Sequence, residues 1–119
     1  MIGATGAVGG EVVRTLLTFP ELERLTLLGR RPVAGVNHPA LRQETVDLGN
    51  PQSYAPLLAG HAAAVCTLGV GEPSAVNRDH FHRVDYQMPL DFARACRAAG
   101  VGHFTLLDSV GASAGSRNW

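Results

Sequence analysis

Three glycines at three-residue steps constrain this chain more than any other feature: Met1-Ile2-Gly3-Ala4-Thr5-Gly6-Ala7-Val8-Gly9-Gly10 runs from a glycine turn directly into helical spacing. Without a Cβ at positions 3, 6 and 9, the backbone can turn tightly, lie against a bound group and pack a helix start onto a strand. The free N–H groups of such a helix start face outward with the positive end of the dipole behind them, so a pyrophosphate is the natural occupant. Glycine triplets also occur in plain structural turns, so the context has to decide. It should supply a strand before, a helix after, and a second strand ending in a residue that reads a ribose.

The pattern along the chain supplies most of that context. Val8, Val12, Val13, Leu16 and Leu17 recur at helical spacing, Glu11 is expected in the first turn, and Phe19-Pro20 ends the helix. Leu25-Thr26-Leu27-Leu28 reads as a buried strand stopping at Gly29-Arg30-Arg31-Pro32, and Val33 to Ala40 as loop. A weakly patterned strand over Arg42 to Val46 closes with Asp47-Leu48. A short helix over Pro51 to Ala59 follows, capped by Asn50 and stopped by Gly60. Ala62 to Leu68 is apolar throughout, as a central parallel strand should be. A long helix is expected from Ser74 to Ala99, with Phe81, Val84, Met88, Phe92, Ala95 and Ala99 on one face, a kink at Pro89 that frees the Asp85 carbonyl, and Gly100 as its cap. His103 to Leu107 makes the last strand.

This alternation predicts an α/β fold, a doubly wound parallel sheet of the Rossmann kind with five strands in the order 3-2-1-4-5. Too few residues precede Gly3 for a full first strand, so that strand is expected to be clipped. The length of 119 residues suits one domain, taken as 1–119.

Composition narrows the chemistry. All ten basic residues are arginine, so a Walker A loop, a Schiff base and any lysine-assisted dyad are excluded within the chain. A net charge of zero gives no electrostatic footprint for nucleic acid, and no stretch approaches the length needed to span a bilayer. Cys66 and Cys96 lack metal-ligand spacing and read as reduced core thiols of a cytoplasmic protein. His80 and His82, beside Asp79 and Asp85, are two apart on a helix and do not share a face, so no metal site is expected and Asp79 is instead assigned to a surface pair with Arg83.

In a site that prefers NAD, an acid at the end of the second strand accepts from the ribose 2′-hydroxyl. Arg30 and Arg31 stand there instead, and guanidinium groups fork onto a phosphate, so NADP is favoured and NAD is the lesser choice. Asp47 is placed to accept from an adenine amino group while Leu48 packs on the ring.

Gly3-Ala4-Thr5-Gly6-Ala7-Val8-Gly9, Gly29-Arg30-Arg31, Val46-Asp47-Leu48, Cys66-Thr67-Leu68-Gly69 and His103 to Ser109 together resemble the atypical or extended short-chain dehydrogenases. Within them the chain is similar to the NAD(P)H-binding group of Tat-interacting oxidoreductase-like proteins. The resemblance implies a cofactor site at Gly3, Thr5, Gly6, Ala7, Val8, Gly9, Arg30, Arg31, Asp47, Leu48, Leu68 and Gly69. It implies that Ser109 is the catalytic serine that hydrogen-bonds a substrate carbonyl, with Asp108 where a second serine is common. The family's Tyr-x-x-x-Lys would then follow beyond Trp119, since neither Tyr54 nor Tyr86 has a lysine four residues on, and the chain is expected to be the amino-terminal part of a longer protein. The function so implied is hydride transfer to or from the carbonyl or alcohol of a small-molecule substrate. An NADPH-sensing regulator and a semialdehyde-dehydrogenase-like NAD-binding domain are the alternatives.

Overall fold

Ile2 is the residue on which the strands converge. The computed structural model describes residues 1–70 and 76–108, and in it Ile2 has no exposed surface and forms parallel bridges to Leu28 on one side and Cys66 on the other. Its N–H donates to the Val65 carbonyl at 3.1 Å, its carbonyl accepts from Thr67 N at 3.1 Å, and Leu28 N–H reaches the Met1 carbonyl at 2.9 Å.

Two parallel pairs flank it. Strand β1 (Leu25–Gly29) pairs with β2 (Leu41–Thr45) from Leu25–Leu41 to Gly29–Thr45. Strand β3 (Ala63–Cys66) pairs with β4 (His103–Leu106) from Ala63–His103 to Cys66–Leu106. The neighbours therefore run β2, β1, Ile2, β3, β4, which is an α/β arrangement. The expected five-stranded sheet is not met as such: among the described residues there are two two-stranded sheets, and the amino-terminal segment contributes two isolated bridges at Ile2 instead of a ladder. The reason is local, because Gly3 at φ +88° turns the chain one residue after Ile2, and a ladder needs consecutive extended residues.

Successive β1 side chains point to opposite faces. Leu25 and Leu27 join Met1, Ala4 and Val13 in one cluster, whereas Leu28 joins Ile2, Tyr54, Ala64, Phe92 and Cys96 in the other. Helix α1 (Ala7–Leu16) covers the first face, burying Gly9 and Val13. Val8, expected on that buried face, is 51% exposed, and Glu11 lies beyond the first turn, where it pairs with Arg14 on the surface.

The other face is covered by 3₁₀ turns and a helix. The expected helix over Pro51 to Ala59 is instead two 3₁₀ turns, Pro51–Ser53 and Ala55–Leu58, because Pro56 has no N–H to continue an α-helical ladder. The Asn50 side chain caps the first by accepting from Gln52 N at 3.2 Å, and Gly60 at φ +81° makes the stop. Helix α2 (Arg78–His82), capped by Asn77, passes through a π-helical segment (Arg83–Gln87) into α3 (Met88–Ala98). Among the described residues the long helix thus begins at Arg78; Ser74 lies outside them. Met88 N–H donates to Arg83 O, five residues back. Pro89 follows this wider turn directly, so the residue that lacks an N–H stands where the ladder has already changed its register. The helix closes with Gly100 at φ +82° and a Val101 N–H bond to Cys96 O at 3.0 Å. Phe92 packs edge-on against Tyr54 at 6.0 Å and lies 5.8 Å from Phe104, tying α3 to the 3₁₀ turns and to β4.

Candidate functional site

The glycine turn is held against β3 by contacts that leave no room for side chains. A Cβ on Gly3 would stand 2.5 Å from the Leu68 nitrogen, and one on Gly9 would stand 2.0 Å from the Gly3 carbonyl oxygen. Gly6 differs: it is the N-cap of α1, makes no side-chain cap, and an added Cβ would meet only the Gly3 oxygen, at 3.6 Å. Thr67 fastens the assembly, its hydroxyl donating to the Gly3 carbonyl at 3.0 Å. Thr67 was not singled out from the sequence, where a threonine in an apolar strand reads as a β-former.

At the end of β1 the chain enters Arg30-Arg31-Pro32-Val33. Both arginines are exposed. The loop is tied to β2 by Gln43, whose Oε1 accepts from Val33 N at 2.7 Å and whose Nε2 donates to Val33 O at 3.2 Å. After β2, Asp47 Oδ1 accepts from Gly49 N at 2.9 Å, while Ser53 Oγ accepts from Asp47 N at 3.1 Å and donates to Asp47 O at 2.8 Å. Leu48 is half-buried and packs against the Ile2 cluster. After β3, Val70 N–H donates to Asp85 Oδ1 at 3.0 Å. Burial pushes the Asp85 carboxyl above its ordinary range; the Val70 bond and His80 oppose this, and Asp108 adds to it.

These three strand ends open onto one cleft of about 460 Å³. Of the twelve residues expected around a cofactor, Gly3, Thr5, Arg30, Arg31, Asp47, Leu48, Leu68 and Gly69 line it; Gly6, Ala7, Val8 and Gly9 do not. The close contacts of Gly9 are with Gly3 and Thr67, so its bareness serves packing. The cleft also takes in Gln43, Val84 and Met88, the last two assigned from their spacing to a core-facing stripe, together with His80 and Arg83. Arg83, expected in a surface pair with Asp79, belongs to this wall, at the start of the π-helical segment. Apolar periodicity cannot tell a stripe that faces a core from one that faces a cleft, so no sequence signal separated them.

Ser109 lies outside the described residues. Tyr54 has no exposed surface, and its hydroxyl has no hydrogen-bond partner among the described residues. Burial, with Asp91 adding, pushes it up to about 12, the opposite of what a proton donor at neutral pH requires. Tyr86 is exposed and its ring lies 4.8 Å from that of His82. Among the described residues no group of three or more His, Cys, Asp or Glu is gathered for a metal ion. Cys66 and Cys96 are free, buried thiols, each pushed up chiefly by burial. No described helix is long and apolar enough to cross a membrane.

The family model described as NAD(P)H-binding matches residues 3–119. Protein HTATIP2 of Rattus norvegicus is 34% identical over 118 residues, which take in 98% of this chain and 48% of that protein. Protein fmp52, mitochondrial, of Aspergillus clavatus is 30% identical over 118 residues, 95% of this chain and 50% of that protein. The chain spans about half the length of these curated relatives. Uronate dehydrogenase from Agrobacterium tumefaciens superposes with a TM-score of 0.73 at 22% identity, over 91% of this chain and 39% of that one. A mutant of that enzyme complexed with NAD superposes equally well, and at this identity the likeness is one of fold. The expectation of a cytoplasmic protein is overturned: fungal relatives, from Aspergillus clavatus, Emericella nidulans and Neurospora crassa among others, are named mitochondrial. Reduced thiols and neutral charge do not separate one reducing compartment from another.

Proposed function

The chain belongs to the NAD(P)H-binding family, and from that premise we propose that it is the cofactor-binding part of an NADP-preferring oxidoreductase. One observation carries the reading: the glycine turn, the Arg30-Arg31 loop and Asp47-Leu48 are far apart in sequence and line a single cleft at the carboxyl ends of parallel strands. Ligands of open α/β sheets bind at such ends.

The residues present suit a dinucleotide. Gly3 and Thr5 bring the backbone of the turn to the cleft wall, and the α1 amino terminus has no side-chain cap to compete with an anion. Thr5 and the backbone beside it would hold the diphosphate. Arg30 and Arg31 would fork onto a ribose 2′-phosphate, Asp47, whose Oδ1 accepts from Gly49, would offer its other oxygen to the adenine amino group, and Leu68-Gly69 would border the nicotinamide. When bound, the nicotinamide supplies or accepts the hydride. The chain's own contribution is to hold and orient it, and Ser109 would take the substrate carbonyl.

The test is a pair of titrations. NADPH and NADH binding are compared in the wild type and in Arg30→Ala and Arg31→Ala. Each variant is expected to weaken NADPH by about tenfold or more while leaving NADH within about twofold, as loss of a charge-assisted fork implies. Equal weakening of both cofactors would refute the phosphate assignment.

A further inference from the structure

Both arginines are exposed, at the start of a loop. What fixes that loop is one side chain on the neighbouring strand. Gln43 sits two residues into β2 and is half-buried. Its carboxamide meets the Val33 peptide on both sides, accepting from the N–H at 2.7 Å and donating to the C=O at 3.2 Å. The pairing mimics one step of a β-ladder, carried out by a side chain where β1 has already ended at Gly29 and Val46 N–H has closed onto the Gly29 carbonyl at 2.9 Å. The segment Arg30-Arg31-Pro32 is thus pinned at both ends, at Gly29 by the backbone and at Val33 by Gln43, with Pro32 fixing one φ between them. Three residues held in this way have few conformations in which to present two guanidinium groups.

We infer that Gln43 is the positioning residue for cofactor choice: by clamping Val33 it pre-orders the arginine loop and so sets the preference for a 2′-phosphate over a free 2′-hydroxyl. The inference rests on the NADP reading above and deepens it. Its physical basis is that a fork onto phosphate needs the guanidinium plane held in place, and a loop that must first be ordered subtracts that ordering from the affinity. Other residues that border the cleft near this loop, such as Glu44 and Thr45, have no comparable bidentate grip on it among the described contacts. Gln43 also lines the cleft, so it lies within reach of the site it orders.

The experiment measures dissociation constants for NADPH and for NADH in Gln43→Met, which keeps length and volume but neither donates nor accepts comparably, and in Gln43→Leu as a second apolar replacement. Thermal unfolding and far-UV circular dichroism establish that both are folded. Expected is a rise of about tenfold in the NADPH constant with NADH within about twofold, because only the phosphate contact needs the ordered loop. The same substitution made on top of Arg30→Ala and Arg31→Ala should add no further loss, since coupled residues are not additive. Equal loss for both cofactors, or loss for neither, would overturn the inference while leaving the arginine assignment standing. An additive loss in the triple variant would also overturn it, as Gln43 would then act without the arginines. Should the arginine variants lose NADPH and NADH alike, the phosphate reading falls and this inference falls with it.

Discussion

Asp85 holds the segment after β3 with a carboxylate that is itself under strain from its surroundings. Its pKa stands above the ordinary 3.8, first from burial and then from Asp108, against the pull of the Val70 N–H and of His80. A raised folded pKa means that the folded state binds the proton more tightly than the unfolded chain, so this contribution to stability is fully present below pH 3.8 and is lost as pH rises through the folded value. In Asp85→Asn the side-chain oxygen still accepts from Val70 while the charge is gone. Urea unfolding across that interval should therefore show a flatter pH dependence than wild type; an unchanged slope would assign the dependence to another group. Tyr54 presents the simpler case of a buried hydroxyl without a partner among the described residues. Removing such a group relieves a desolvation cost, so Tyr54→Phe should leave stability unchanged or raise it by about 1 kcal/mol. A loss of that size in thermal unfolding would reveal a bond that the described residues do not account for.

The elements that form the site depend on close approach more than on side-chain chemistry. The first and last glycines of the turn meet backbone, Gly3 against Leu68 and Gly9 against Gly3 itself, whereas a Cβ on Gly6 would make only an ordinary contact, 3.6 Å from the Gly3 oxygen. Gly9→Ala should therefore cost about 1–3 kcal/mol, as overpacking does. Gly6→Ala, at φ −75°, should stay within about 0.5 kcal/mol of wild type. Chemical denaturation of the two variants side by side checks this, and equal costs would contradict the packing seen at the turn. The helix opposite follows the same logic. Asn77 starts it, the π-helical segment from Arg83 to Gln87 widens it, and Pro89 follows directly after that segment. A change of helical pitch thus stands directly upstream of the proline where a kink was expected, and Arg83 and Val84 of that segment line the cleft.

At the scale of the whole molecule, one ring couples the layers. Phe92 is 1% exposed and touches both Tyr54 and Phe104, so α3, the 3₁₀ turns and β4 share it. Phe92→Ala should cost about 3–5 kcal/mol, a large part of the stability of a domain this size, typically about 5–15 kcal/mol. A thermal transition lowered only slightly would show that the cluster around Ile2 holds without it.

Much of this architecture was legible beforehand. Alternating strand and helix patterns announced an α/β chain, Leu25 to Leu28 announced a buried strand, and the stops at Gly60 and Gly100 stand where backbone freedom was needed. Gly3, Thr5, Arg30, Arg31, Asp47, Leu48, Leu68 and Gly69 were named from motif and resemblance and line one cleft. Local rules reach that far because turns, caps and periodicity involve residues a few positions apart. Contacts across the chain decided the rest. Whether the first segment becomes a strand or only the two bridges of Ile2 depended on where Gly3 turns against Leu68. That Thr67 holds Gly3, that Gln43 grips Val33 and that Asp85 grips Val70 depended on which peptide groups the packed strands left unpaired beside them. A polar side chain in a sequence does not state its partner; only the folded chain brings one backbone N–H or carbonyl within reach.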